Sequence, residues 1–405
     1  MKVLLVNWVY GWGSTGYIVR DIKNELIKQG HECKVAAAVN RGPEDENLFL
    51  FNNEKIRLLY WKMARLGWPM YHGSSLATRK LIRYIEKEKF DIVHLHVLNG
   101  MCLNLYSLLN YLGNNNIRTV ITNHAEFYYT GSCGYAFDCM QFVDNQCYNC
   151  KNKNAATSSY AFSNPHANWV KMNNAFSCFN KENVKFTSVS PWVDSRMALS
   201  PILKEFSDVV VMNGVETTIF NYKKETLYYK EKPIKDYLLF VSANFNPLNK
   251  SDIKGGYYLV ELAKKMPSFT FIVVATNILN ADSLPANMIC WGKANGQDEL
   301  AKLYSNAKLT ILTSIRETFS MICAESMCCG TPVVGFKAGG PESISLPEYS
   351  KFVEFGKLDD LATAILKFAN THFDKELIST KSQSVYSKKC MTDGYIQVYK
   401  NLYEK

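Results

Sequence analysis

Two carboxylates, Glu317 and Glu325, are separated by seven residues in the segment Lys308 to Ser343, KLTILTSIRETFSMICAESMCCGTPVVGFKAGGPES. Glu325 falls among Met, Ile, Cys, Ala and Ser. An ionised carboxylate buried there is costly unless hydrogen-bond donors meet it, and the vicinal hydroxyls of a ribose would do so. The plainer alternative places Glu317 near a helix start for the sake of the helix dipole and turns Glu325 to water.

The elements that must position these groups can be read from the same segment. Lys308 to Thr313 predicts a short buried strand, Thr318 to Cys329 a helix, and Gly330-Thr331-Pro332 a stop before a second apolar strand through Phe336. A strand, a short loop and a helix start make an anion site. The backbone N–H groups of Thr318, Phe319 and Ser320 are expected at the helix mouth, where the dipole also favours a phosphate.

The paired acids together with CGTPVVGF and AGGPES resemble the donor-site signature of the retaining GT-B glycosyltransferases of family 4. That resemblance implies two Rossmann-like domains with parallel sheets facing across a cleft, and sugar transfer from a nucleotide diphosphate with retention. It assigns Glu317 to the hydroxyls of the donor sugar, Glu325 to the nucleotide ribose, and Gly339-Gly340 to close backbone approach. In ANFNPLNKSDIKGG it matches Lys254, just before Gly255, to the family's diphosphate lysine. The Arg expected in that loop is absent, and Lys250 is the candidate substitute. The segments HLHVLNG and ITNHAEF resemble the family's HLHNxHG and TxHD, so His124 would approach the distal sugar hydroxyl, with Ala125 where the family has Asp and Glu126 next. Gly13 and Ser14, in the turn Gly13-Ser14-Thr15-Gly16, resemble the loop that faces the donor phosphates.

Gly11, Gly13 and Gly16 also spell G-x-G-x-x-G after a strand predicted at Lys2 to Trp8, which raises a dinucleotide-dependent oxidoreductase as a rival. The first Gly comes late after that strand, and the second strand ends in Asn40-Arg41 with no acid for a ribose. Arg41 leaves NADPH open as the cofactor. A second rival is a catalytically silent GT-B subunit that binds a glycan or a partner enzyme.

Cys133, Cys139, Cys147 and Cys150 form C-x5-C-x7-C-x2-C, a set of soft ligands sufficient for a closed tetrahedral structural Zn²⁺. Reduced cysteines in an ordinary loop are the alternative. The stretch resembles a Cys-rich insert in the family 4 subset that builds exopolysaccharide, capsule and colanic acid. By that resemblance the acceptor is a surface glycan on a polyprenyl diphosphate. No cofactor is expected for catalysis.

With 405 residues, two domains are expected, 1–212 and 213–385, with the terminal helix 386–405 returning to the first. Lys223 to Lys235 reads as a polar linker. Hydrophobic content of 47% and charged content of 20% fit a folded protein, and with no apolar run long enough to span a bilayer the expected location is cytoplasmic. Between Glu54 and Phe90 nine Lys or Arg stand against three acids, with Tyr60, Trp61, Trp68, Tyr71 and Tyr84 among them. Arg79, Lys80, Arg83 and Lys87 share one side of a predicted helix. Such a surface suits an anionic membrane or is simply a solvated face, and no nucleic-acid module accompanies it.

Overall fold

The computed structural model describes residues 1–148, 150, 159, 164–281 and 284–404. Strand β1 (Lys2–Tyr10) is buried along most of its length. A strand apolar on both faces needs cover on both, and helix α1 (Gly13–Lys28) supplies one layer with Ile18, Val19, Ile22 and Leu26. The strand runs two residues past the expected Trp8, because Val9 and Tyr10 stay buried and the Tyr10 hydroxyl meets Asp45, which also pairs with Lys23. Gly11 therefore follows the strand directly, not late.

The first sheet has the order β3-β2-β1-β4-β5-β6-β7 and every pairing is parallel. Its other strands are β2 (Glu32–Asn40), β3 (Leu48–Leu50), β4 (Ile92–Leu95), β5 (Thr119–Asn123), β6 (Val184–Ser188) and β7 (Asp208–Val210). Helices α2 (Glu54–Arg65) and α3 (Ser75–Glu88) connect β3 to β4. On α3 the buried side carries Ala77, Thr78, Leu81 and Ile85, and Arg79, Lys80, Arg83 and Lys87 are exposed.

The segment expected as a linker contains a hairpin, β8 (Leu227–Tyr229) with β9 (Lys232–Ile234). Lys230 and Glu231 both have positive φ, the backbone a tight two-residue hairpin loop requires, and neither is Gly or Asn, which is why the turn was not visible in the sequence.

The second sheet, also parallel, has the order β12-β11-β10-β13-β14-β15. Its strands are β10 (Tyr237–Phe245), β11 (Phe271–Ile278), β12 (Met288–Gly292), β13 (Ala307–Leu312), β14 (Val333–Phe336) and β15 (Ser350–Val353). Leu238, Phe240, Leu259, Leu262, Phe271, Val273, Ile311 and Val334 lie in its core. In each sheet the strand order reverses beside the first long strand, between β1 and β4 and between β10 and β13. Ligands of doubly wound sheets bind outside the C-terminal strand ends at such a point.

Two compact units result, Met1–Val211 with Thr392–Lys405, and Met212–Met391. The division falls inside the terminal helix Lys388–Tyr403, six residues later than the expected 386. Tyr386 and Lys388 stay with the second unit, where Val215 donates to the Tyr386 carbonyl and Lys388 pairs with Glu216. Tyr399 belongs with the first, its hydroxyl 2.6 Å from His94 Nδ1. Among the described residues no helix is long and apolar enough to cross a membrane.

Candidate donor-binding site

The loops that follow β10 and β13 are fastened to one another at the point where the second sheet reverses. The Thr313 hydroxyl donates to the Gly255 carbonyl (2.9 Å), and the Ile315 N–H donates to the Ile253 carbonyl (2.8 Å). Gly255 has φ +72°, and a Cβ there would lie 2.0 Å from the Thr313 carbonyl oxygen, so the loops close only around glycine.

This closure brings Lys254 Nζ to 2.8 Å from Glu317 Oε1. The Ser314 hydroxyl donates to the same oxygen at 2.7 Å. Burial pushes the Glu317 carboxyl upward, but Lys254, Ser314 and Ser320 outweigh it, and the net displacement is below the usual carboxylate range. Glu317 is thus a buried carboxylate kept ionised by one ammonium and two hydroxyls.

The backbone of Glu317 is pinned as well. Its N–H donates to the Ala338 carbonyl (2.9 Å), and the Gly340 N–H donates to its carbonyl (2.8 Å). Glu342 orders the partner turn by accepting from the N–H groups of Ala338 (3.0 Å) and Gly339 (2.7 Å). A Cβ on Gly340 would lie 2.5 Å from the Phe319 nitrogen. The Gly339-Gly340 pair therefore serves close backbone approach to the 317–320 loop itself.

The helix expected from Thr318 begins at Met321 and ends at Cys328. Glu317 is held in a bridge with Gly339, which keeps the chain extended and delays the helix until Ser320 caps it. Ser320 does so with φ +91°, a strained conformation for a residue with a side chain, and its hydroxyl accepts from the Cys323 N–H at 3.4 Å. Thr318 and Phe319 are buried in the preceding turn. The orphan N–H groups at the helix mouth accordingly belong to the turn that starts at Met321.

Glu325 lies in the second turn of this helix and accepts from the Tyr304 hydroxyl at 3.2 Å. Its side chain is half-buried. Desolvation lifts its carboxyl to about 7 despite that donor. Further donors, such as a pair of vicinal hydroxyls, would return it to the charged form. Lys250 does not join this group; it is exposed, with its ammonium 5.9 Å from the centroid of the Tyr257 ring.

In the first unit His124 follows β5 and is buried. Its Nε2 lies 3.0 Å from His96 Nδ1. His94 belongs to the core, between the Tyr399 hydroxyl (2.6 Å) and the Thr122 hydroxyl (2.7 Å). Burial drives the His124 imidazole down to about 3, so the ring is neutral and acts through hydrogen bonds, not charge. Glu126 does not take the place of the family's Asp. Its two oxygens accept from Arg196 Nε (2.6 Å), the Tyr129 hydroxyl (3.1 Å) and the Ala136 N–H (2.6 Å), all within the fold. Gly13 and Ser14 open α1, and Trp12 before them is exposed.

The Cys133 thiol is raised by burial and then by Cys147, Cys150 and Cys139, which places the four thiols within electrostatic reach of one another. Even so, among the described residues no group of three or more His, Cys, Asp or Glu is arranged to hold a metal ion.

Ser314, which donates to Glu317, carries no pattern of its own in the sequence, whereas Glu342 is the acid close behind the Gly339-Gly340 pair.

Two family models match the chain, "Glycosyltransferase Family 4" over residues 15–146 and "Glycosyl transferases group 1" over residues 277–382. The N-acetyl-alpha-D-glucosaminyl L-malate synthase of Bacillus anthracis is 24% identical over 225 residues, spanning 50% of this chain and 57% of that relative. Sucrose-phosphate synthase from Thermosynechococcus elongatus superposes with a TM-score of 0.67 at 15% identity, over 100% of this chain and 99% of its own. The Anabaena protein HepE in complex with UDP-glucose does so with a TM-score of 0.62 at 13% identity, over 98% and 99%. The two structural likenesses are likenesses of fold.

Proposed function

The chain belongs to the GT-B glycosyltransferases, and on that premise we propose that it moves a hexose-type sugar from a nucleotide diphosphate to a surface glycan carried on a polyprenyl diphosphate. The observation that carries the reading is the Lys254–Glu317 pair at the reversal point of the second sheet, just ahead of the capped helix that carries Glu325. The UDP-glucose bound by HepE shows the donor class taken by a protein of the same fold.

In this reading an arriving diphosphate draws the Lys254 ammonium away from Glu317. The carboxylate so released accepts hydrogen bonds from the sugar hydroxyls, and Glu325 accepts from the ribose. His124 donates to a distal sugar hydroxyl. The start of the helix at Met321 adds its dipole to Lys254 against the charge that grows on the leaving group. The bond from the anomeric carbon to the β-phosphate oxygen breaks while an acceptor hydroxyl bonds to the same carbon. The hydroxyl proton passes to the departing phosphate. Attack from the leaving-group face, with retention, needs no carboxylate nucleophile. The protein would work on the cytoplasmic side, in peripheral contact with the membrane that holds its acceptor.

The experiment is a panel of UDP-, GDP-, ADP- and TDP-sugars scored by thermal shift and by release of nucleotide, with NADPH as control. Stabilisation and slow hydrolysis with one donor, both lost in Glu317→Gln, are expected. Binding without turnover, together with a Glu317→Gln protein that still supports glycan assembly, would make the chain a silent subunit. A shift with NADPH alone would restore the oxidoreductase.

A further inference from the structure

A cavity of about 520 Å³ opens at the other end of the second sheet, away from the donor loops. It lies at the N-terminal edge of the strands: Asp236 stands just before β10, Lys308 is near the start of β13, and Pro332 stands just before β14. Thr313 and Ser314, which serve the candidate donor site, leave the opposite end of β13. At about 3.3 Å per residue, the strand from Lys308 to Thr313 puts roughly 16 Å between the two sites. The lining residues all belong to the unit Met212–Met391. One of them, Lys375, opens the helix Lys375–Tyr386 and is held at both ends. Its carbonyl oxygen lies 2.4 Å from where a Cβ on Gly330 would stand, so its backbone is pressed onto that glycine. Its ammonium donates to the carbonyls of Ser305 (2.7 Å) and Ala307 (2.6 Å). An ammonium has three N–H bonds, and two are engaged here. Burial lowers Lys375 to about 8, against the opposing pull of Asp236.

Lys308 is half-buried and makes no hydrogen bond or ion pair among the described residues. It is close enough to Lys375 to repel its charge. Folding has thus set two like charges on one cavity, and the acids of the lining do not answer both. Glu376 is taken by Lys224 at 2.5 Å, and Asp374 accepts from the Leu377 N–H at 3.1 Å as the helix cap. Asp236 is left to serve two ammoniums. An anion arriving between them relieves their repulsion. The remaining wall is aromatic, with Phe368 and Phe373, their ring centroids 5.5 Å apart, and Tyr222. Small-molecule sites run from about 300 to 1,000 Å³, so this cavity takes more than a bare phosphate. We propose that it binds a phosphate monoester carrying a sugar or nucleoside ring, with the phosphate on Lys308 and Lys375 and the ring against Phe368 and Phe373. The proposal is independent of what the donor site does.

The full chain is titrated calorimetrically with glucose 1-phosphate, AMP and inorganic phosphate. One of the two ring compounds should bind more tightly than inorganic phosphate, and which one does so names the ring. Lys308→Ala should weaken that binding at least about tenfold, the scale of one charge-assisted hydrogen bond, and Lys308→Arg should keep most of it. Without ligand, Lys308→Ala should unfold at the wild-type temperature or above it, because the substitution removes the like charge beside Lys375. Glu325→Gln, altered in the donor site, should bind the ring phosphate as the wild type does. No binding by either ring compound, equal binding by Lys308→Ala, or binding lost in Glu325→Gln overturns the proposal. Inorganic phosphate binding as tightly as both ring compounds also overturns it, since the aromatic wall would then hold nothing. So does a Lys308→Ala protein that is less stable without ligand, which would make Lys308 a structural residue.

Discussion

Lys254 and Glu317 are 63 residues apart in the chain and 2.8 Å apart in space. They are unequally buried, the Glu317 side chain being 8% exposed and that of Lys254 38%. Removing the partner of a buried charge costs more than removing the partner of an exposed one. Lys254→Met is therefore expected to destabilise the protein by about 3 kcal/mol. Glu317→Gln, which leaves an ammonium able to reach water, should cost about 1 kcal/mol or less. Urea unfolding of the two variants checks the order; equal losses would mean that the hydroxyls hold Glu317 without the lysine. Since the Glu317 carboxyl is depressed in the folded state, its contribution is present above the unfolded carboxylate range and is lost as pH falls below it.

Glu325 predicts the opposite trend. Its carboxyl is raised to about 7, so its effect on stability is most favourable below the ordinary carboxylate range, near 4.5, and is lost as pH rises through 7. Donor binding runs against this, because ribose hydroxyls favour the ionised form. The affinity for a nucleotide sugar should fall as pH drops from 8 to 6, and Glu325→Gln should bind more weakly than wild type at pH 8 but without that slope. Titration calorimetry at the two pH values decides it; an unchanged slope in the variant would remove Glu325 from the nucleotide.

Much of this was legible before any coordinates. Alternating strand and helix patterns gave both parallel sheets, and the spacing of Glu317, Glu325 and the Gly339-Gly340 turn pointed to the loop where Glu317 and Gly339 meet, because these features are local. What stayed hidden depends on distant contacts. The late helix start at Met321 follows from the bridge between Glu317 and Gly339. Tyr10 is kept in β1 by Asp45, which is 35 residues away. The four cysteines mark another limit: they lie within electrostatic reach of one another, yet among the described residues no group of three or more His, Cys, Asp or Glu is arranged to hold a metal ion.

Gly340 offers a test of the turn that holds Glu317. Its missing Cβ would meet backbone atoms of Thr318 and Phe319 at 2.5 Å, and backbone cannot swing aside as a flexible side chain can. Gly340→Ala should cost about 3 kcal/mol and abolish the thermal shift given by the donor. Gly292→Ala, at φ +86° with nothing within 4 Å, carries only the backbone strain of about 1 kcal/mol and should keep the shift. Calorimetry with and without donor separates the two; a donor response that survives in Gly340→Ala would mean that the turn does not shape the site.

The contact between His96 and His124 fixes where His124 carries its proton. Burial holds both imidazoles neutral, so the 3.0 Å contact between His96 Nδ1 and His124 Nε2 shares one proton. His96 Nε2 is buried with no hydrogen-bond partner among the described residues. A proton there would be an unbonded buried donor, at a cost of about 1–3 kcal/mol. The proton therefore sits on Nδ1 and is donated to His124, which leaves His124 with its own proton on Nδ1. Long-range ¹H–¹⁵N spectra should show the Nδ1–H form of His124 in the wild type and a mixture of tautomers in His96→Ala. His96→Asn, whose amide can donate from nearly the Nδ1 position, should restore the single form. Turnover should follow the tautomer, down about tenfold in His96→Ala and largely recovered in His96→Asn, the scale of one aligned hydrogen bond. An Nε2–H tautomer in the wild type would show that His96 does not orient His124.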